Sequence, residues 1–239
     1  IAVLATVGRV SPRVFKRPRL GIVATGDELV EPEVRPGPCQ IRTSNSYQIW
    51  AQAVRAGAAA TYYGIARDTE VEIDAAMKRA MSANDVIVMS GGVSMGDYDL
   101  VPEVMQANGF KILFDSVAVK PGKPTTFAVS PTHWCFGLPG NPVSTFIQFE
   151  ILIKPFLYRL MGHDYQPAYQ VVPLAEAIRP RKCDRETWIP VRTDGRGARA
   201  CEFHGSAHVN ALSEATGFVV MPAGLAELKE GEIVHVRSI

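Results

Sequence analysis

At 239 residues, with 47% hydrophobic residues, the chain has room for one large or two ordinary domains and enough apolar side chain for a proper core. Its 25 Lys and Arg against 24 Asp and Glu are interspersed, which excludes a whole-molecule field aimed at nucleic acid or an anionic membrane and makes any anion specificity local. Cys39, Cys135, Cys183 and Cys201 are widely spaced with no Cys-x-x-Cys pair, which argues against a zinc knuckle or redox dithiol and reads as four reduced thiols in a cytoplasmic protein.

The chain opens at Ile1, and its first apolar stretch lacks the basic flank and length of a signal peptide. Residues 1–17 read as a strand and a linker, the tail of an upstream domain. From Pro18 the pattern changes to a buried strand at 19–25 and a Pro/Gly-rich loop running to Thr43. Ser44 or Asn45 then caps a helix whose apolar face includes Ile49, Trp50, Ala53 and Val54. A strand at 61–65 follows, Asp68 and Thr69 open a helix carrying Val71, Ile73, Met77 and Ala80, and 86–89 is a short apolar strand. Alternation of this kind predicts a mostly parallel sheet with helices on both faces.

A helix at 100–107, extended segments at 111–119 and 125–129, and a strand at 134–136 come next. The apolar run from Val143 to Met161 is broken by Gln148, Glu150 and Lys154, so the helix at 142–161 reads as buried and not as a membrane span. Residues 162–167 are a boundary, dividing a domain at 18–163 from one at 164–239. Beyond it, short extended pieces at 171–174, 187–192, 200–203, 217–221 and 233–237, separated by turns, predict a small β-barrel or sandwich.

In open parallel sheets, ligands sit beyond the carboxyl ends of the strands, so the loops there are where chemistry is expected. The run GlyLeuProGlyAsnProValSer, Gly137 to Ser144, places Gly137 and Gly140 for close backbone approach, Asn141 as an N-cap and Pro142 at the first helical position. Amides and the positive end of the helix dipole then face a phosphate or oxyanion. The glycine loop from Ser90 to Asp99 and the turn Lys120-Pro-Gly-Lys123 also follow strands, and the two lysines suit an oxyanion, a solvated turn being the plainer alternative.

Glu28, Asp68, Asp97 and Asp99 converge on one rim if their strands are neighbours. Carboxylates beside phosphate loops imply an intervening Mg2+, unless Asp68 and Asp99 simply cap the helices that follow. His204 and His208 are four apart with no third ligand near in sequence, and no nucleophile elbow, Walker motif or dinucleotide fingerprint occurs.

The motifs ThrGlyAspGluLeu at Thr25, IleArgThrSerAsnSerTyr at Ile41, Arg67-Asp68, SerGlyGlyValSerMetGlyAspTyrAsp at Ser90, LysProGlyLysPro at Lys120 and the Gly137 run resemble, in order and spacing, the molybdopterin molybdotransferase family. The tail with Gly205-Ser206 is similar to that family's C-terminal β-barrel. The resemblance implies insertion of molybdenum into adenylylated molybdopterin with release of AMP, in which molybdate is a substrate and Mg2+ the metal. It implies catalytic roles for Glu28, Asp68, Asp99 and Lys120, and metal binding by Asp68, Asp97 and Asp99. It also implies substrate contacts from Ser44, Asn45, Gly91, Gly92, Ser94, Gly96, Gly122, Lys123, Pro139, Gly140, Asn141, Pro142, Ser144, Arg185 and Ser206. Expected partners are a second copy in a homodimer and the molybdopterin adenylyltransferase. One departure is Ser116, which stands where many members carry a Lys or Arg and bears on molybdate against tungstate. The alternatives are the adenylyltransferase itself and a non-catalytic scaffold of the gephyrin E type.

Overall fold

The computed structural model describes residues 1–92, 100–180 and 182–239. Residues 1–17 hold a short helix, α1 (Ala2–Thr6), and no strand, which corrects the expectation there. Ala2, Leu4 and Ala5 favour a helix, and no sheet edge pairs with this exposed segment to make it a strand.

β1 (Arg19–Thr25) is buried at every position after Arg19, as befits a strand covered on both faces. β2 (Leu29–Val30) and β3 (Ile41–Arg42) pair across the Pro/Gly-rich loop, which Glu31 ties to Tyr62 Oη at 2.9 Å. Then come α2 (Asn45–Arg55), β4 (Ala59–Ala66), α3 (Glu70–Met81), β5 (Val86–Ser90) and α4 (Leu100–Ala107). β6 (Lys111–Ser116), β7 (Val119–Lys120), β8 (Pro124–Val129) and β9 (Trp134–Leu138) follow. The predicted long helix is α5 (Pro142–Gln148), a π turn (Phe149–Ile153) and α6 (Lys154–Leu160). The π turn lies just before Pro155, which has no N–H for the helical ladder and crowds the carbonyl four residues back.

The first sheet has the order β4-β1-β5-β9-β8-β6. Its first four strands are parallel, and β8 pairs antiparallel with β9 on one side and with β6 on the other. α3 and α4 cover one face around Met77, Met89 and Met105; α2 and the α5–α6 helix cover the other around Ile49, Phe149 and Leu157. The mostly parallel α/β architecture is therefore as expected. Trp50 and Val54, however, are 46% and 42% exposed, because Ile49, Gln52 and Ala53 set the buried side of α2 and the other two turn past its edge. Gln148 and Glu150, the polar breaks in the apolar run, are buried, with Glu150 joined to Lys154 at 2.7 Å and Gln52 at 3.1 Å.

The first strand is tied at its start to the next one inward. Arg19 donates from Nη2, Nε and its amide to the Asp85 carboxylate, at 2.7, 3.2 and 3.0 Å. The Arg19 side-chain hydrogen bond holds the Asp85 carboxyl below the usual carboxylate range. A depressed carboxylate contributes stability above its unfolded pKa of about 3.9 and loses it as pH falls through the folded value. Asp85→Asn is expected to lower the urea midpoint at neutral pH by the equivalent of less than about 1 kcal/mol, the pair being well exposed. The gap between variant and parent should close at acid pH; a gap constant down to about pH 2 would contradict the linkage.

The C-terminal part comprises β10 (Tyr169–Pro173), β11 (Glu186–Thr193), β12 (Ala198–Ala200), α7 (Ala211–Glu214), β13 (Gly217–Met221) and β14 (Ile233–Ser238). These strands form a second sheet in the order β10-β14-β13-β11-β12, curled around Val191, Val219 and Val236 so that its two ends meet at one parallel bridge, Leu174 to Ala198. The stretch expected to be extended from 111 to 119 divides between sheets: β6 stays in the first, whereas β7 pairs in parallel with β11 of the second. Val143 and Ile147 of α5 pack against Trp188 and Phe218, and Arg237 donates to the Glu150 carbonyl at 2.6 Å, so the two sheets share a buried seam.

Candidate functional site: a cationic cleft on the seam

The loop entering α5 is braced from behind. Asn45, at the start of α2, is buried and donates through Nδ2 to the Gly140 carbonyl at 2.7 Å and to Ser90 Oγ at 3.0 Å. Gln48 donates to the Pro142 carbonyl at 3.0 Å, and Thr145 Oγ1 to the Asn141 carbonyl at 3.0 Å. Pro142 occupies the first helical turn, as expected, but Asn141 and Ser44 sit at their N-cap positions without a side-chain cap bond. Two details of the predicted cradle change. Gly137 lies inside β9, opposite Met89 and Thr126, and so belongs to the sheet and not to the loop. The Val143 amide is already taken by the Ser206 carbonyl at 3.0 Å, a bond that ties the loop between β12 and α7 to the helix end.

Gly91 closes the neighbouring loop at φ +99°, with a Cβ there set only 2.3 Å from the Thr25 carbonyl, so no side chain fits between these strand ends. Gly92 follows it, also at positive φ.

The lysine turn is built from both sheets. Lys120 pairs with Thr187, while Val117 donates to the Lys123 carbonyl at 2.9 Å and Thr125 Oγ1 to the Gly122 carbonyl at 2.9 Å. The peptide before Pro121 is cis. Gly122, at φ +112°, rests on the buried Gln148 side chain, which would lie 2.3 Å from a Cβ at that position. Arg185 donates from Nη1 to the Val119 carbonyl at 3.2 Å, locking its guanidinium beside the turn. Its neighbour Asp184 has its carboxyl held low by its own backbone amide and, less strongly, by Arg185 and Lys120.

These pieces enclose a cleft of about 820 Å³. The structure brings together in its lining Lys120, Gly122, Lys123, Pro139, Gly140, Asn141, Ser144, Arg185 and Ser206, nine of the residues singled out from sequence. Trp188, Phe203 and Ile189 form an apolar wall, and no Asp or Glu is among the described residues lining the cleft. Cationic side chains, two serine hydroxyls and loop backbone facing one half-enclosed space suit a compact oxyanion with an apolar or aromatic attachment. Cys201 also lines it, but burial, with a smaller contribution from Glu214, raises its thiol pKa and keeps it protonated at neutral pH.

Sequence reasoning missed Arg179, Thr187, Trp188, Phe203 and His204 in this lining. The density of cations in the segment from Arg179 to Arg185 was the available signal for Arg179. Aromatic positions in short strands carry no equivalent mark. His204 and His208 stack at 4.9 Å, with His204 Nε2 at 2.7 Å from Glu202.

The acidic residues lie elsewhere. β1 and β4 are neighbours, so Asp27 and Asp68 meet at a rim outside the cleft lining, with Glu28 next to Asp27 in the chain. Asp68 does not cap α3. That role falls to Thr69, which accepts from the Glu72 amide at 3.3 Å, while Asp68 Oδ2 accepts from the Asp27 amide at 3.3 Å and Asp27 Oδ1 from the Asp68 amide at 3.2 Å. Ser116 ends β6 opposite Pro124, also outside the lining. Ser94, Gly96, Asp97 and Asp99 fall outside the described residues. Among the described residues no group of three His, Cys, Asp or Glu side chains could hold a metal. The donor chemistry at the rim nonetheless fits Mg2+, which is commonly held by one or two carboxylates together with substrate phosphate, since Asp27 and Asp68 each spend only one carboxylate oxygen on the other's amide.

No described helix is long and apolar enough to cross a membrane. The family described as probable molybdopterin binding domain matches residues 21–159, and the MoeA C-terminal region (domain IV) matches 171–239. The molybdopterin molybdenumtransferase of Staphylococcus epidermidis is 33% identical over 99% of this chain and 57% of its own length; that of Bacillus subtilis is 33% identical over 100% and 56%. A crystal structure of the molybdopterin biosynthesis MoeA protein from Pyrococcus horikoshii superposes with a TM-score of 0.87 at 31% identity, covering 99% of this chain and 58% of that one. The chain thus spans somewhat over half the length of these relatives. With both halves matched in order and the cleft on the seam between them, the chain belongs to the MoeA family of molybdopterin molybdenumtransferases.

Proposed function

We propose that the protein acts in molybdenum cofactor biosynthesis by inserting molybdenum into adenylylated molybdopterin with release of AMP. The observation that carries this reading is the cleft on the seam, where Lys120, Lys123, Arg179 and Arg185 converge with no carboxylate in the described lining. Molybdate is a substrate there: Lys120 and Arg185 offset its charge, Ser144 and Ser206 supply hydroxyl donors, and Trp188 and Phe203 shield the site from water. Asn45 acts through Gly140, holding the loop in place for the phosphate of the nucleotide. Asp68 and Glu28, with Asp97 and Asp99, would hold Mg2+. When bound, it would offset charge on the phosphates beside the acidic rim.

The proposal includes a cytoplasmic homodimer that receives its substrate from the adenylyltransferase. The adenylyltransferase and scaffold alternatives gain no support from a cleft whose walls require both sheets and whose lining concentrates positive charge. The test is a titration with adenylylated molybdopterin, with and without Mg2+ and molybdate, following binding and AMP together. Release that requires molybdate is the expected result; AMP release indifferent to molybdate, or consumption of ATP instead, overturns the reading.

A further inference from the structure

Both described arginines of the cleft lining have a carboxylate partner: Arg185 leans on its sequence neighbour Asp184 at 3.4 Å, whereas Arg179 is paired with a residue of a distant segment. Arg179 Nη2 donates to Glu227 Oε1. The pairing is fixed by the backbone: Ile178 and Leu228 exchange hydrogen bonds of 2.9 and 3.0 Å as an isolated antiparallel bridge, which sets Arg179 beside Glu227. The two side chains are 69% and 33% exposed, unlike the buried Glu150–Lys154 pair at 6% and 16%. An exposed pair contributes little to stability and exchanges partners readily; a buried one does not.

Arg179 therefore faces a choice between a single carboxylate behind it and whatever enters the cleft in front. The space in front also holds Lys120, Lys123 and Arg185. Like charges in one cleft repel, and Glu227 offsets part of that repulsion for Arg179 as Asp184 does for Arg185. An anion among them offsets the same repulsion for all four at once, and the planar guanidinium fork suits two oxygens of a tetrahedral group.

We propose that Arg179 is an oxyanion-binding residue of the cleft and that Glu227 is its resident competitor, surrendering the guanidinium when a tetrahedral dianion arrives. The inference rests on the cleft being the anion site, and it deepens that reading by adding a residue that sets affinity. The dianion is either free molybdate or the phosphate monoester of the adenylate. In both cases measured affinity is a difference between the new contact and the one given up, so Glu227 weakens binding without touching the ligand.

The experiment measures calorimetric Kd values for molybdate and, separately, for AMP. The proteins are the parent, Arg179→Ala, Arg179→Lys, Glu227→Gln, the double variant R179A/E227Q, and Lys120→Ala as a reference. Arg179→Ala is expected to weaken binding by about tenfold and Glu227→Gln to tighten it by about threefold, the size of change charge-assisted contacts give at a partly exposed site. The gain from Glu227→Gln should vanish in the double variant, and Arg179→Lys should fall between alanine and parent. The dianion whose Kd responds is the one Arg179 holds. Unchanged affinity for both in Arg179→Ala, with binding lost in Lys120→Ala, overturns the role of Arg179 and leaves the cleft standing. A gain from Glu227→Gln that persists without Arg179 overturns the competition. Unchanged binding in Lys120→Ala as well overturns the cleft reading and this inference together.

Discussion

Lys120→Ala is expected to weaken molybdate binding by between about 10-fold and 100-fold, the loss of one charge-assisted contact of about 1.5–3 kcal/mol in a half-enclosed site. The fold should survive, because Lys120 is held in β7 by backbone pairing to Thr187 of β11, which the substitution leaves in place. The remaining cations of the lining, Lys123, Arg179 and Arg185, keep the cleft positive but cannot refill the position between the lysine turn and α5. Trp188 in the cleft wall offers a fluorescence readout alongside calorimetry, and Lys120→Arg should recover part of the affinity because it restores charge with a different donor geometry. An alanine variant that binds molybdate like the parent would remove Lys120 from the site.

The largest effect on stability is expected from Phe149→Ala. Phe149 is fully buried in the cluster between α2, the first sheet and the long helix, among Ile49, Leu20, Phe136 and Leu157, and it opens the π turn where the helical ladder is already irregular. Truncation there loses the transfer free energy of the ring and leaves a cavity, about 3–5 kcal/mol together. For a chain of this size each kcal/mol moves Tm by roughly 2–4 °C, so a fall of about 10 °C in a thermal scan is the expected reading. A fall equivalent to under about 1 kcal/mol would show that the helix closes over the gap.

Much of the parallel half was legible because local pattern and tertiary role agree there. The helix at 100–107 coincides with α4, and continuous apolar runs at β1 and β5 mark strands covered on both faces. Legibility failed where a residue's role depends on a distant partner. Trp50 and Val54 fit a helical stripe, yet the packing of Ile49 and Gln52 against the sheet and the long helix decided which side of α2 faced inward. Nothing local marks Val119 and Lys120 as a strand of the other sheet, since their partner, β11, lies more than sixty residues on. The same distance problem hid the Val143–Ser206 bond and the Arg179–Glu227 pair, whereas Lys120, Lys123 and Gly140 could be singled out from glycine, proline and lysine spacing alone, and Ser144 through the family resemblance.

The shared seam makes ligand occupancy and the docking of the two sheets a single equilibrium. Lys120 is clamped by β11, and Ser206 reaches α5 only while the second sheet is seated, so a molecule in the cleft meets its full set of partners in the docked form alone. By mass action such a ligand stabilises that form by roughly 2.7 kcal/mol at a hundred times its Kd, and the gain falls on the joint between the sheets instead of on either core. A ligand bound there is therefore expected to make unfolding more cooperative by holding the joint closed. Loss of a bound anion and loosening of the joint would then be two views of the same step.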